Sequence, residues 1–395
     1  MEAWRARGLA IANSNTIKKN QLGYKVPSQS GNGTYVVNLD HGHPFCTCQF
    51  FETERKKCQH IYAVEFFVNK EQRPDGTSVE TKAMRITYAQ DWTAYNAAQC
   101  EEKDQFVMLL SNLCKNVPQP PQNNGRPRLP YSDMVFACAY KVYTGFSSRR
   151  FTSDLRDANA SGLVASTPHF NSVTNYLADP NMTPILKHLV MVSSLPMKAI
   201  ETEFAIDSSG FTTSRFVRWF SKKYGKEIDN REWVKVHLMC GVNTHIVTSV
   251  DISGWEAHDT TYFVPLLEQT AQNFQIVEVS ADKAYLGHKN IEAVDAINAI
   301  PFIPFKKNTL PTTEDSAWSR MYHYFMLNRE MFLEHYHKRS NVETVFSMIK
   351  GKFGDSVRSK NNTGMINEVL CKVLCHNICV LIQSVHELGI NLAFD

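Results

Sequence analysis

Cysteine is scarce, with 10 in 395 residues. That density is far below a disulfide scaffold and excludes a small stapled secreted fold. An excess of one charge is also lacking: 42 Lys+Arg against 39 Asp+Glu leave a net charge of +3. A nucleic-acid surface must then be a local patch rather than a global field. No uninterrupted apolar run approaches the roughly 18 residues that a membrane helix needs. Residues 1–9 carry two arginines and no apolar core, unlike a secretory signal. Internal repeats and low-complexity tracts are absent. The expectation is a cytoplasmic chain in a reducing compartment, without membrane contact, whose clustered cysteines read first as metal ligands.

What is present is an ordinary globular balance, 43% hydrophobic and 21% charged, over a length that calls for two to four units. Residues 1–70 pass from polar to strand-like (Tyr35, Val36, Val37, Leu39), through a turn at 40–44, to a Cys-rich segment and the start of a buried helix at 61–68. Residues 71–115 form a helical connector. Its amphipathic part, 86–115, has Trp92, Tyr95, Phe106, Leu109, Leu110 and Leu113 at helical spacing. Residues 116–130 are a Pro-rich linker. Residues 131–200 are short helices. Thr167-Pro168 and Thr183-Pro184 read as caps with proline at the first helical position. This region suits either a helix-turn-helix-like DNA-binding unit or a plain helical bundle.

From 201 to 395 the texture is strand-rich and then helical. Strands are expected at 203–207, 234–240, 245–252, 275–282 and 302–305, with helices at 260–270 and 290–299, and a near-continuous apolar helix over 365–385. A meander followed by alternation with helices predicts an α/β mixed five-stranded sheet flanked by helices.

Two constellations carry chemistry. Cys46, Cys48, Cys58 and His60 supply three thiols and one imidazole in the order C-x-C-x9-C-x-H. Zinc takes four such ligands tetrahedrally, and a closed set is the structural kind of site. The spacing resembles the SWIM zinc finger, which implies one structural Zn²⁺. Cys371, Cys375 and Cys379 are four apart and stack along one face of an apolar helix, so they read as core.

The second constellation is acidic. Asp207 and Asp282 each end an apolar strand, and neighbouring strands would bring them to one edge. Glu343 shares a helical stripe with Tyr336, Arg339 and Lys350, at offsets 0, 3, 7 and 14 from Tyr336, provided that one helix runs through residue 340. The competing reading is a capping box, Ser340-Asn-Val-Glu343, which would start a helix there. Two divalent ions about 4 Å apart need shared carboxylates for phosphodiester displacement, and hard oxygen ligands select Mg²⁺ or Mn²⁺.

Residues 201–355 resemble the DDE transposases of prokaryotic insertion sequences. Tyr336, Arg339, Glu343 and Lys350 reproduce the Y-(2)-R-(3)-E-(6)-K signature of one branch, and Asp207 and Asp282 stand at the first two acid positions. The resemblance implies an RNase H-like catalytic domain over 201–395. In it Asp207, Asp282 and Glu343 hold two Mg²⁺ (or Mn²⁺), and Tyr336, Arg339 and Lys350 contact DNA phosphates. It further implies double-stranded DNA partners (terminal inverted repeats and target), a homodimer in the synaptic complex, hydrolysis at the element's end and attack of the freed 3′-OH on target DNA. Only 60 residues separate Asp282 from Glu343, so the β-rich insertion of some relatives is absent.

In the linker, Arg126 and Arg128 look like the core of an AT-hook, a minor-groove arm, although a solvated linker is the plainer reading. Lys306-Lys307 and the run Lys350, Lys352, Arg358, Lys360 form a local basic stretch. Two rival functions remain: a transposase-derived zinc-finger DNA-binding protein that no longer cuts, and an RNase H-like nuclease selective for branched DNA.

Overall fold

A computed structural model describes residues 2–13, 17–20, 23–28, 34–39, 44–54, 56–72, 78–82, 91–122, 124–125, 127–213, 233–254, 256–310, 316–390 and 392. Residues 40–43 of the expected turn at 40–44, and Arg126, lie outside them. The chain divides into two units, Met1–Ala89 and Gln90–Asp395.

The first unit opens with helix α1 (Glu2–Asn13). Strands β1 (Lys18–Asn20), β2 (Gly23–Pro27), β3 (Thr34–Asn38) and β4 (Phe45–Cys46) pair antiparallel in that order. Helices α2 (Gln49–Glu54) and α3 (Gln59–Phe67) follow, then a two-stranded ribbon, β5 (Val68–Gln72) with β6 (Ser78–Lys82). The helix expected over 61–68 therefore starts two residues earlier and gives way to a strand at Val68. Alternation along β2 and β3 sends Val26 and Val37 inward, where they meet Ile61 and Val64 of α3. Helix α1 crosses α3 closely at Gly8, where a Cβ would lie 2.6 Å from the Cβ of Tyr62.

The second unit starts with α4 (Trp92–Cys114), whose Asp91 side chain accepts from the amides of Thr93 and Ala94. Phe106, Leu110 and Leu113 are buried as expected, but Trp92 is 65% exposed and Tyr95 36%. The first turns of this helix carry the apolar stripe into solvent. Next come α5 (Tyr131–Thr144), α6 (Thr152–Ala160), α7 (Phe170–Leu177) and α8 (Met182–Ser194). Gly145, at φ 65°, closes α5 in the left-handed conformation that glycine adopts without strain.

The two Thr-Pro pairs are not caps. His169 caps α7 by accepting from the Asn171 amide, and Pro184 sits inside the first turn of α8, where its missing N–H has no helical partner to lose. Thr183 instead donates to Asn367 across the core.

The sheet contains β7 (Glu203–Thr212), β8 (Trp233–Gly241), β9 (Val247–Gly254), β10 (Glu278–Ala281) and β11 (Ile300–Phe302), in the order β11-β10-β7-β8-β9. The first three in sequence form an antiparallel meander, and β10 and β11 add in parallel. This is the RNase H-like mixed sheet expected from the sequence.

Helices α9 (Thr260–Ala271) and α10 (His288–Ala296) cover one face with Phe204, Ile206, Met239 and Val279. Then come α11 (Ala317–Leu327), α12 (Arg329–His337), α13 (Ser340–Phe353) and α14 (Asn362–Leu388). Helix α14 is the centre of the other core, packed on α4, α5, α7, α8 and β9. By length and composition α14 could cross a membrane, which departs from the expectation of no such run. However, 83% of its most apolar window is buried, so it is the core helix of this unit.

Candidate metal centre and catalytic face

In the first unit, β4 delivers Cys46, the following turn Cys48, and the N-terminus of α3 Cys58 and His60. All four are buried, and their ligand atoms lie within 4.8 Å of one another. His60 Nδ1 is 3.8 Å from the sulfurs of both Cys46 and Cys58. A tetrahedron with zinc bond lengths of about 2.3 Å to sulfur and 2.0–2.1 Å to nitrogen spans S···N edges of roughly 3.6 Å, so the cluster is already near zinc dimensions. The hydrogen bond between Cys46 and Cys58 pulls the Cys58 thiol down and pushes the Cys46 thiol up, with His60 also lowering Cys58 and burial raising Cys48, so without a metal one thiolate is favoured and the other two thiols keep their protons. Among the described residues this is the one Cys/His/Asp/Glu group so arranged. Cys371 and Cys375 are instead fully buried in α14, with burial raising both thiols, as core residues should behave.

In the second unit, alternation along β7 decides which side chains meet. Ala205 and Phe211 belong to the core on the α13–α14 face, while Phe204 and Ile206 belong to the opposite one. Asp207 and Ser209 therefore face α13. On β10, Ala281 pairs with Ile206 in parallel register, so Asp282 follows at the level of Asp207 and on the same face.

Glu343 lies in the first turn of α13. The two readings of this helix resolve into a third arrangement. The chain breaks between α12 and α13, but Lys338 and Arg339 keep right-handed helical torsions. The amides of Arg339 and Val342 bond three residues back, to Tyr336 and Arg339. The tightened joint preserves the stripe without one continuous helix. No capping box forms, because the Glu343 carboxylate turns to Arg339 instead.

Arg339 ties the acids together. Its Nη1 donates to Asp207 Oδ2 at 2.8 Å and its Nη2 to Glu343 Oε1. Tyr336 reaches Asp282 Oδ1 at 3.5 Å. Burial raises the Asp207 pKa, the charges of Asp282 and Glu343 push the same way, and the Ser208 amide and Arg339 only partly offset this. Lys350 donates to Ser209 at 2.6 Å and lies over the rings of Phe211 and Phe346; burial lowers its pKa. Arg128 pairs with Asp179, its guanidinium 3.9 Å from that carboxylate. Lys352 and Arg358, both exposed, bond to Glu102 and to the Gly145 carbonyl, which takes them partly from the expected basic stretch.

Residues that the sequence did not single out surround the acids. Ser208, on the reverse face of β7, donates to Asp259 at 2.8 Å, and Asp259 also pairs with Lys235 at 2.7 Å. His237 stacks on Tyr262 with ring centroids 4.0 Å apart, and burial lowers its pKa to about 4, so it is neutral at pH 7. On the acid face itself, Lys338 and His335 bind Glu203 and Glu278. The only sequence signal for these was position: Lys338 and His335 stand one residue before Arg339 and Tyr336.

Comparison with known families is consistent with both constellations. Residues 198–378 match the transposase DDE domain, and residues 35–69 match the SWIM zinc finger.

Proposed function

We propose that this chain, a DDE transposase domain behind a SWIM zinc finger, cleaves DNA at the ends of its own element and joins the freed 3′-OH to target DNA. The observation that carries the reading is the meeting of Asp207 and Asp282, from neighbouring parallel strands, with Glu343 on the facing helix through Arg339 and Tyr336. The donor set is all hard carboxylate oxygen, which suits Mg²⁺ or Mn²⁺. Burial chiefly raises Asp207, the charges of Asp282 and Glu343 add to it, and a cation between these groups would relieve that repulsion. Two such ions, when bound, activate the attacking oxygen and stabilise the leaving one.

The chain's own residues do the remaining work. Strand pairing fixes Asp207 within β7 and places Asp282 directly after the paired Ala281, so their positions are set before substrate arrives. The Arg339 guanidinium matches a phosphate as well as it matches the carboxylates, and binds the scissile strand when exchanged from them. Lys350 adds a point charge on the same helix, and Tyr336 positions the strand beside Asp282. Arg126 and Arg128 extend DNA contact through the linker. In the first step a water oxygen attacks phosphorus and the bond to the 3′ oxygen breaks, leaving a 3′-OH. In the second, that oxygen attacks a target phosphorus and displaces the target's own 3′ oxygen. No covalent enzyme intermediate is needed. A homodimer would hold two ends together for joining.

The test uses the full chain, Mg²⁺, and a duplex bearing the inverted repeats that flank its gene, with a supercoiled target. Joined products that require a terminal 3′-OH and vanish in Glu343→Gln support the reading. Binding without cutting in either Mg²⁺ or Mn²⁺ marks a DNA-binding derivative. Cutting of branched DNA that ignores the ends marks a structure-selective nuclease.

A further inference from the structure

The catalytic face carries two acid pairs, not one. Glu203 and Glu278 are register partners on β7 and β10, and Asp207 and Asp282 stand four residues further along the same strands. An even offset keeps both pairs on one face, roughly 13 Å apart. Each pair has its own couple from the α12–α13 joint. Tyr336 and Arg339 serve Asp282 and Asp207. His335 and Lys338, one residue earlier, serve the glutamates: Lys338 Nζ lies 2.7 Å from Glu203 and 2.7 Å from Glu278, and His335 Nδ1 lies 2.6 Å from Glu278.

The glutamate pair is enclosed. The Glu278 side chain is only 7% exposed, and His335 stacks on Phe302 with centroids 4.4 Å apart and planes 7° from parallel. Two carboxylates at paired positions of adjacent strands repel. Here one ammonium shared between them balances that repulsion, and His335 Nδ1 stands within hydrogen-bond reach of Glu278. Burial alone would depress Lys338, yet its bonds to Glu203 and Glu278 outweigh this and raise it, so it stays charged.

We propose that Lys338, with Glu203 and Glu278, is a positioning lock. It indexes the α12–α13 joint against β7 and β10, so that Arg339 and Glu343 meet Asp207 and Asp282 in register. The inference rests on the proposed metal-dependent reading of the acid face. The joint's own backbone bonds run only three residues back, and besides this clamp it is held by the Arg339–Asp207 pair, by Asn341, whose Oδ1 lies 3.2 Å from His245 Nε2, and by the buried Val342. Arg339 on Asp207 and Lys350 on Ser209 hold α13 further along β7; the Lys338 clamp, some four residues before Asp207 on that strand, resists tilting of the joint's end against β7 and β10.

The test measures Mn²⁺ affinity of the full chain by titration calorimetry, with cleavage kinetics alongside. Lys338→Met keeps the aliphatic stem and removes the charge. It is expected to weaken Mn²⁺ at least tenfold and to lower kcat by a similar factor, with KM for DNA unmoved. Lys338→Arg is expected to restore both to within about threefold of wild type, a rescue that mere loss of packing does not give. Should Lys338→Met fail to fold, Glu203→Gln removes one partner only and is expected to weaken Mn²⁺ severalfold at unchanged melting temperature. Mn²⁺ affinity and kcat within twofold of wild type in the folded variant overturn the lock. Asp207→Asn separates the two failures. If it abolishes Mn²⁺ binding while Lys338→Met does not, the lock alone is wrong; if it leaves Mn²⁺ binding intact, the metal reading falls and the lock with it.

Discussion

Replacing Asp207 by asparagine should abolish cleavage without costing stability, and the two effects have separate physical origins. Asp207 has a folded-state pKa above its unfolded value, chiefly because it is buried and because Asp282 and Glu343 share its surroundings. For a group shifted in this direction, folding favours the protonated form. Its stabilising contribution is complete below the unfolded pKa and is lost as pH rises through the folded one. At pH 7 the ionised carboxylate therefore works against folding. Asparagine removes that charge and can still accept from the Ser208 amide, now 2.8 Å from Asp207 Oδ1. What it loses is the charge-assisted bond from Arg339 at 2.8 Å, worth on the order of 1–2 kcal/mol at a half-buried site. The two terms oppose each other, so net stability should stay within about 1 kcal/mol of wild type, a shift of only a few degrees in melting temperature.

Catalysis has no such compensation. A metal acting as a Lewis acid stabilises transition-state charge by several kcal/mol. At 1.36 kcal/mol per tenfold in rate, losing about 4–7 kcal/mol corresponds to roughly 10³- to 10⁵-fold slower cleavage. The assay pairs end cleavage in Mg²⁺ with a thermal melt and a DNA-binding titration on one preparation. Cleavage within tenfold of wild type would refute the triad. A melting temperature more than about 10 °C lower would refute the stability argument and make the lost activity uninformative.

Two further outcomes follow from the structure. Treating the chain with a zinc-selective chelator, or replacing Cys48 by serine, should take zinc from one per chain to none and expose residues 35–69 to protease. Melting of Gln90–Asp395 should be unaffected, because the soft thiolate quartet and the hard carboxylate face lie in different units; unchanged zinc content in Cys48→Ser rules that ligand out. Asn377→Leu should cost about 2–4 kcal/mol in urea unfolding, since it takes the acceptor from the Val247 amide and a donor from the Val247 carbonyl at a fully buried side chain, while the Val190 carbonyl keeps its bond from Ser193. A loss under 1 kcal/mol would mean that water enters and satisfies those groups.

The parts of this protein legible in its sequence are those governed by short-range periodicity. The strand of Asp207 alternates between two cores, so its facing residues followed from a period of two, and the order of strands put Asp282 beside it. The ligand quartet was equally local, four residues in one hairpin-to-helix passage. What could not be read was anything fixed by partners far along the chain. Trp92 and Tyr95 match the helical stripe of Phe106 and Leu110, but the stripe does not reveal where the neighbouring helices end. Thr183 has the composition of a cap and instead bonds to Asn367 in the core. Glu203, Glu278 and Lys338 each look like solvated surface charges when taken singly, and only the sheet brings them together.

The α12–α13 joint explains why the helix reading of Glu343 was ambiguous. A capping box needs the glutamate to fold back on the start of its own helix, whereas the metal role proposed for Glu343 needs it to reach outward to the sheet. The same carboxylate cannot do both. Arg339 settles the competition by offering Glu343 a charged partner that also holds Asp207, which a neutral Ser340 amide cannot match. The helix is then free to start without a side-chain cap, and no cap bond is made. The missing cap, worth about 1 kcal/mol in an ordinary helix, is thus a local cost of keeping Glu343 turned toward the aspartates. It also accounts for cationic anchors on two successive residues: with the first turn uncapped, Lys338 and Arg339 hold the helix start to the sheet from outside.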